Sequence, residues 1–98
     1  LAQVGHLVAI EVEVDTLDQL RELLEISDGV DAVLLDNMEP AQLREAVELI
    51  DGRLTAEASG RITVETAPAI AETGVDLISA GWLTHSAAVL DIGLDIQV

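Results

Sequence analysis

Four short runs in which apolar and polar residues alternate divide the chain: Val8–Val14, Asp31–Asp36, Leu54–Ser59 and Asp76–Ala80. Alternation with a period of two is the pattern of a strand with one buried face. The stretches between them change to helical spacing. Thr16-Leu17-Asp18-Gln19 has the form of a capping box, and Leu17, Leu20 and Leu24 make the apolar stripe of the helix it opens. Pro40 stands where a first-turn proline belongs, and Leu43, Val47 and Ile50 carry that helix to Gly52, a C′ glycine. The third helical stretch is weaker. Pro68 falls near its first turn and removes a donor, so this helix should start late or bend. A fourth is a stub around Ser86 to Leu90.

The strand starts lie about 22 to 25 residues apart, the length of one βα unit with short loops. Gly29-Val30-Asp31 and Gly74-Val75-Asp76 form a faint repeat, in which a glycine ends a helix and a short turn feeds the next strand. Strands alternating with helices imply a parallel sheet with right-handed crossovers. The fold class is α/β, with four βα units in a single domain over 1–98. Such units make half of a TIM-like barrel; a small flavodoxin-like doubly wound sheet is the alternative.

The first strand places Val8, Ile10, Val12 and Val14 on one face and Glu11, Glu13 and Asp15 on the other. Strands of a parallel sheet are normally covered on both faces and read as continuous apolar runs. Alternating glutamates there are costly unless paired, solvated or bound to a cation. Asp36 ends the second strand, and Glu57 shares a face of the third with Thr55 and Ser59. Glu13, Asp36 and Glu57 would then line neighbouring strands near their C-terminal ends, where βα proteins place their sites. Hard oxygen ligands in such a cluster suit Mg²⁺, above all one shared with a phosphate. The plainer reading is a set of ion pairs or a solvated face. Partners are scarce, however: the cations are Arg21, Arg44, Arg53 and Arg61, and Glu25 and Glu48 stand four residues after the first two.

Charge narrows the function classes. Nineteen acidic residues against four arginines and no lysine give a formal net charge of −15. That surface repels nucleic acid and anionic membrane. No apolar run approaches the roughly 20 residues needed to span a bilayer, so the expected location is the cytoplasm. The apolar fraction is 50%, almost entirely aliphatic, with Trp82 the one aromatic side chain of the Phe, Trp and Tyr class. No cysteine is present, so neither disulfide nor thiolate chemistry arises. The chain opens on Leu-Ala-Gln-Val-Gly-His without a methionine and runs at once into a strand, as an excised or trimmed piece would.

Ser59-Gly60 follows the third strand and Gly81 the fourth. Glycines after late barrel strands, followed by a short helix, make a common phosphate cradle. In Gly81-Trp82-Leu83-Thr84-His85-Ser86, Thr84 or Ser86 could cap the stub helix and His85 could face the same space. Taken singly these signals are weak: a Ser-Gly pair is most often a turn, and a histidine at a helix start most often a cap. Trp82 reads as packing over the barrel rim, His6 as incidental, and Arg61 as a solvated loop residue or a phosphate contact.

Together the segments IEVEVDTLDQLRE (10–22), AVLLDNM (32–38), EASG (57–60) with IT after Arg61, AETGVDLISAG (71–81) and LTHSAAVLDIGLD (83–95) resemble the C-terminal part of the quinolinate phosphoribosyltransferases. They cover nearly the whole chain in order. The resemblance implies a Mg²⁺-dependent reaction that joins quinolinate to phosphoribosyl pyrophosphate, releases pyrophosphate and carbon dioxide, and serves NAD synthesis. By resemblance, Glu13 and Asp36 match the acids on the ribose and metal side of the donor. Ser59, Gly60, Gly81 and His85 match the loops around its phosphate. The family meets quinolinate's carboxylates with basic residues upstream of this segment and partly on a neighbouring subunit. Where a glycine is commoner this chain has Arg61, and where an alanine is commoner it has Trp82.

Two readings follow. One is an enzyme fragment that keeps a phosphate and Mg²⁺ half-site but is inactive alone, because positioning catalysis on anionic substrates needs the absent cations. The other is a natural or engineered half-barrel scaffold that self-associates without binding a ligand. Two open parallel edges would favour a homo-oligomer in either case.

Overall fold

The computed structural model describes residues 9–80 and the short strand at Leu83–Ser86. In chain order the elements are β1 (Glu11–Val14), α1 (Leu17–Glu25), β2 (Ala32–Asp36), α2 (Pro40–Ile50), β3 (Thr55–Ser59), α3 (Ala67–Ala71), β4 (Leu77–Ala80) and β5 (Leu83–Ser86). The strands form one sheet in the order β1-β2-β3-β4-β5. The first four are parallel and β5 is antiparallel to β4.

Two features separate a barrel segment from a doubly wound sheet. The strand order is consecutive, with none of the reversal at a switch point that a flavodoxin-like order requires. The described helices also cover one face only. The buried strand residues Val14, Val33, Leu35, Ala56, Ala58 and Ile78 all share one parity, and they join Leu20, Leu43, Ala46, Ile50 and Ile70 of the helices in a single core. No strand residue on the opposite face is buried among the described residues. The flavodoxin-like alternative is therefore excluded. Truncating a fully buried leucine of this core, such as Leu35, costs about 2–5 kcal/mol.

Local signals explain where the elements begin and end. Thr16 Oγ1 accepts from Gln19 N at 3.0 Å, and Gln19 Oε1 accepts from Thr16 N at 3.3 Å, which completes the capping box of α1. Pro40 occupies the first turn of α2; Asp51 and Gly52 end that helix with φ of 50° and 78°. The weak third helix starts late, at Ala67, and lasts five residues. Its entry is held by Thr63 and Thr66, each backbone N–H donating to the other's hydroxyl at 2.9 and 3.2 Å.

The glycine-valine-aspartate repeat has a structural basis beyond the turn. Asp31 N donates to Ile10 O at 2.9 Å while Asp31 Oδ2 accepts from Ile10 N at 2.8 Å. Asp76 makes the same reciprocal pair with Ala56, at 2.8 Å in both directions. Each aspartate thus clamps the start of its strand to the neighbouring one. Ile10 O also accepts from Ala32 N at 3.2 Å, so the clamp lies directly before the β1–β2 ladder.

The chain beyond β4 departs from expectation. Leu83–Ser86 is a strand, so Thr84 and Ser86 lie in a ladder opposite Ser79 and Leu77. The rest of the expected stub lies outside the described residues. As a result β4 has no open parallel edge, because β5 covers it; among the described strands only β1 keeps one. No helix among the described residues is long and apolar enough to cross a membrane.

Candidate functional site

The uncovered face of the sheet gathers carboxylates at the C-terminal ends of β1 and β2. The parallel register sets Val14 beside Leu35, so Asp15 and Asp36, each the next residue, arrive at the same height. Glu13 projects to the same side two residues earlier. One carboxylate oxygen from each of Glu13, Asp15 and Asp36 lies within 4.8 Å of the other two. The capping box fixes this end of β1, since Gln19 Oε1 also accepts from Asp15 N at 2.6 Å. The Asp36 carboxylate holds the Glu13 carboxyl above its ordinary pKa, and partial desolvation and Asp15 push it the same way.

Sequence reasoning placed Glu57 with Glu13 and Asp36; the structure pairs it differently. Glu57 faces Glu11, and burial raises its pKa first, reinforced by the Glu11 carboxyl and opposed by the Ser79 hydroxyl. Asp15 takes the third place in the cluster. Its signal was legible, because it continues the parity of Glu11 and Glu13 to the strand end where sites form. Both ion pairs among the described residues belong to Arg21, with Asp18 at 2.9 Å and Glu45 at 3.1 Å, and so join α1 to α2 and leave the sheet face alone. The expected partners four residues after Arg21 and Arg44 are not used.

Ser59 stands beside Asp36 on one side and Ser79 on the other. Its carbonyl accepts from Asn37 N at 2.8 Å, which ties the loop after β2 to the end of β3. Asn37 takes a φ of 62° and Gly60 a φ of 118° where the two loops meet. A Cβ at Gly60 would fall 2.8 Å from Asn37 N and 2.9 Å from Asn37 Cα, so close approach, as well as conformation, demands glycine there. Behind these loops a cleft of about 480 Å³ opens between α2 and α3, with Asn37, Ser59, Arg61 and Thr66 among its lining residues. His85 pairs with Ile78 in the β4–β5 ladder; Gly81, Trp82, His6 and the His85 side chain lie outside the described residues.

Carboxylates and glycine-bearing loops at the C-terminal ends of parallel strands suit a phosphorylated ligand with a cation, and the comparisons point the same way. Residues 2–95 match the family described as Quinolinate phosphoribosyl transferase, C-terminal domain. The chain belongs to this family. It is 47% identical over 94 residues to a probable nicotinate-nucleotide pyrophosphorylase [carboxylating] of Bacillus subtilis, covering 96% of this chain and 32% of that protein. A chloroplastic nicotinate-nucleotide pyrophosphorylase [carboxylating] of Arabidopsis thaliana is 43% identical, with 90% of this chain and 29% of the relative covered. Two solved structures of nicotinate-nucleotide pyrophosphorylases share the fold. The one from Ehrlichia chaffeensis has a TM-score of 0.66 at 39% identity, over 74% of this chain and 26% of that one. The one from Francisella tularensis has a TM-score of 0.67 at 37% identity, over 80% and 29%. The chain therefore spans about a third of the length of its quinolinate phosphoribosyltransferase relatives.

Proposed function

We propose that this chain is the donor-side part of a quinolinate phosphoribosyltransferase of NAD biosynthesis, binding phosphoribosyl pyrophosphate with Mg²⁺ without turning it over alone. The observation that carries the reading is the convergence of Glu13, Asp15 and Asp36 beside the Ser59-Gly60 loop. The donor set fits a hard cation. Three carboxylates offer oxygens spaced up to 4.8 Å apart, close to the ~4 Å that ligands at about 2.1 Å across a Mg²⁺ allow. A cation there would also relieve the crowding that holds Glu13 above its ordinary pKa. Bound Mg²⁺ would neutralise charge on the donor's pyrophosphate.

The chain's own residues do the rest. Asp36 and Ser59 stand side by side on adjacent strands, an acceptor and a hydroxyl within reach of one sugar-phosphate. Gly60 keeps that loop free of side-chain bulk, so backbone N–H groups can approach a phosphate. Quinolinate has no comparable cradle among the described residues. Its two carboxylates would meet a net charge of −15, and four arginines supply the only fixed cations. Inactivity of the isolated chain follows, since catalysis here depends on charge stabilisation.

Titration with phosphoribosyl pyrophosphate and Mg²⁺, followed by the fluorescence of Trp82, tests the reading, with Asp36→Ala as the control. A saturable change that the substitution abolishes is expected. A flat titration of the folded protein would leave a scaffold of catalytic ancestry.

A further inference from the structure

We propose that Arg61 is an anion-binding residue of this site, a cation on the loop after β3 that holds the ligand's phosphate against Ser59 and Gly60. The inference rests on the donor-binding reading above and adds a residue to it. Arg21 is occupied by Asp18 and Glu45. Arg44 lies exposed within α2, and Arg53 stands in the turn entering β3, at the other end of the sheet, with Nε donating to Ile50 O at 3.4 Å. Arg61 alone sits on a loop at the end of the sheet that carries the carboxylates and the glycine loop.

The backbone beneath Arg61 is fixed. Ile62 N donates to Gly60 O at 2.9 Å, which makes Arg61 the centre of a three-residue turn. One side of the turn is pinned by Gly60 against Asn37, the other by Ile62, which is 6% exposed. The Arg61 side chain is exposed and enters no ion pair with a described carboxylate. A guanidinium that no described carboxylate engages, two residues from Ser59 on a fixed turn, offers a planar donor fork to an oxyanion.

The cleft beside it is lined by acidic residues. Besides Arg61, its charged lining residues are Glu39 and Glu65. With a neutral residue at 61 the charged lining would be wholly acidic and would repel a phosphate. Arg61 is the group that makes this mouth compatible with an anion.

Inorganic phosphate and phosphoribosyl pyrophosphate with Mg²⁺ would each be titrated into the full chain, following backbone amide signals by NMR. Wild type, Arg61→Gln, Arg61→Lys and Asp36→Ala would be compared. The expected result is saturable shifts at Ser59, Gly60 and Ile62, with affinity for both probes falling roughly 10- to 100-fold in Arg61→Gln and by less in Arg61→Lys. Asp36→Ala should weaken the Mg²⁺-dependent titration and leave inorganic phosphate little changed. Equal affinities for wild type and Arg61→Gln would overturn the role of Arg61 while the donor-binding reading stands. Shifts confined to other regions, or no binding by wild type, would overturn both. Arg61 is exposed, so the variants should fold, and the amide spectrum itself reports whether they do.

Discussion

Two carboxylates on neighbouring strands do not ionise together as readily as they do apart, and Glu13 shows the consequence. Its pKa is raised above the ordinary 4.5 chiefly by Asp36. The folded protein therefore binds this proton more tightly than the unfolded chain does. The stability this contributes is full below pH 4.5 and is lost as pH rises through the folded pKa. Glu57 acts in the same direction, from burial first and Glu11 second. Glu13→Gln removes the repulsion without changing shape, so it should raise Tm at about pH 7 and change little at about pH 4. Thermal melts at the two pH values check this. A lower Tm at neutral pH would mean that the carboxylate is engaged favourably and that the crowding argument fails. At this scale the acidic face was legible, because period-two parity alone sorts Glu11, Glu13 and Asp15 from the apolar face. Which acids meet was not legible. Register decides that, bringing Asp15 to Asp36, while the packing of the sheet face pairs Glu57 with Glu11.

Elements follow the sequence where local chemistry fixes them. The first two helices sit where the Thr16 box and Pro40 place them, since their caps are made within a few residues, and the four parallel strands keep the parity that alternation gives them although their ladder partners lie some 20 residues away. β5 was not legible. Leu83-Thr84-His85-Ser86 carries too short a pattern to separate strand from loop, and its ladder to β4 is a tertiary contact. The repeated aspartates lie between these cases: the tripeptide is visible in sequence, but the clamp on the neighbouring strand is visible only in space. Asp76 takes the N–H of Ala56, a residue 3% exposed, whereas Asp31 takes that of exposed Ile10. Removing the acceptor leaves a buried donor unpaired in the first case and a solvated one in the second. Asp76→Ala should cost about 1–3 kcal/mol in urea unfolding, and Asp31→Ala less. Equal losses would show that the turn, and not the clamp, is the stabilising part of the repeat.

A parallel sheet covered on one face is half of an architecture. In this molecule the helices bury the face built from Val14, Val33, Leu35, Ala58 and Ile78, and the other face presents Glu11, Glu13, Asp36 and Glu57 around half-buried Leu34 and Leu77. With a net charge of −15 and no described ion pair on that face, self-repulsion opposes folding at low ionic strength. Added salt should therefore raise Tm by screening, an effect shared by any inert electrolyte and largely complete once the Debye length falls to about 8 Å. Mg²⁺ should do more. A cation that binds the folded carboxylate cluster, and not the unfolded chain, adds stability that grows with its concentration over its dissociation constant. The comparison that separates the two effects is MgCl₂ against NaCl at matched ionic strength. The expected outcome is a higher Tm in MgCl₂ for wild type, with the excess lost in Asp36→Asn and kept in Glu57→Gln. The second control matters, because Glu57 carries charge on the same face but stands outside the three-carboxylate cluster. Were both variants to lose the excess equally, the ion would be answering the charge of the whole face, and Glu13, Asp15 and Asp36 would have no claim to be its site.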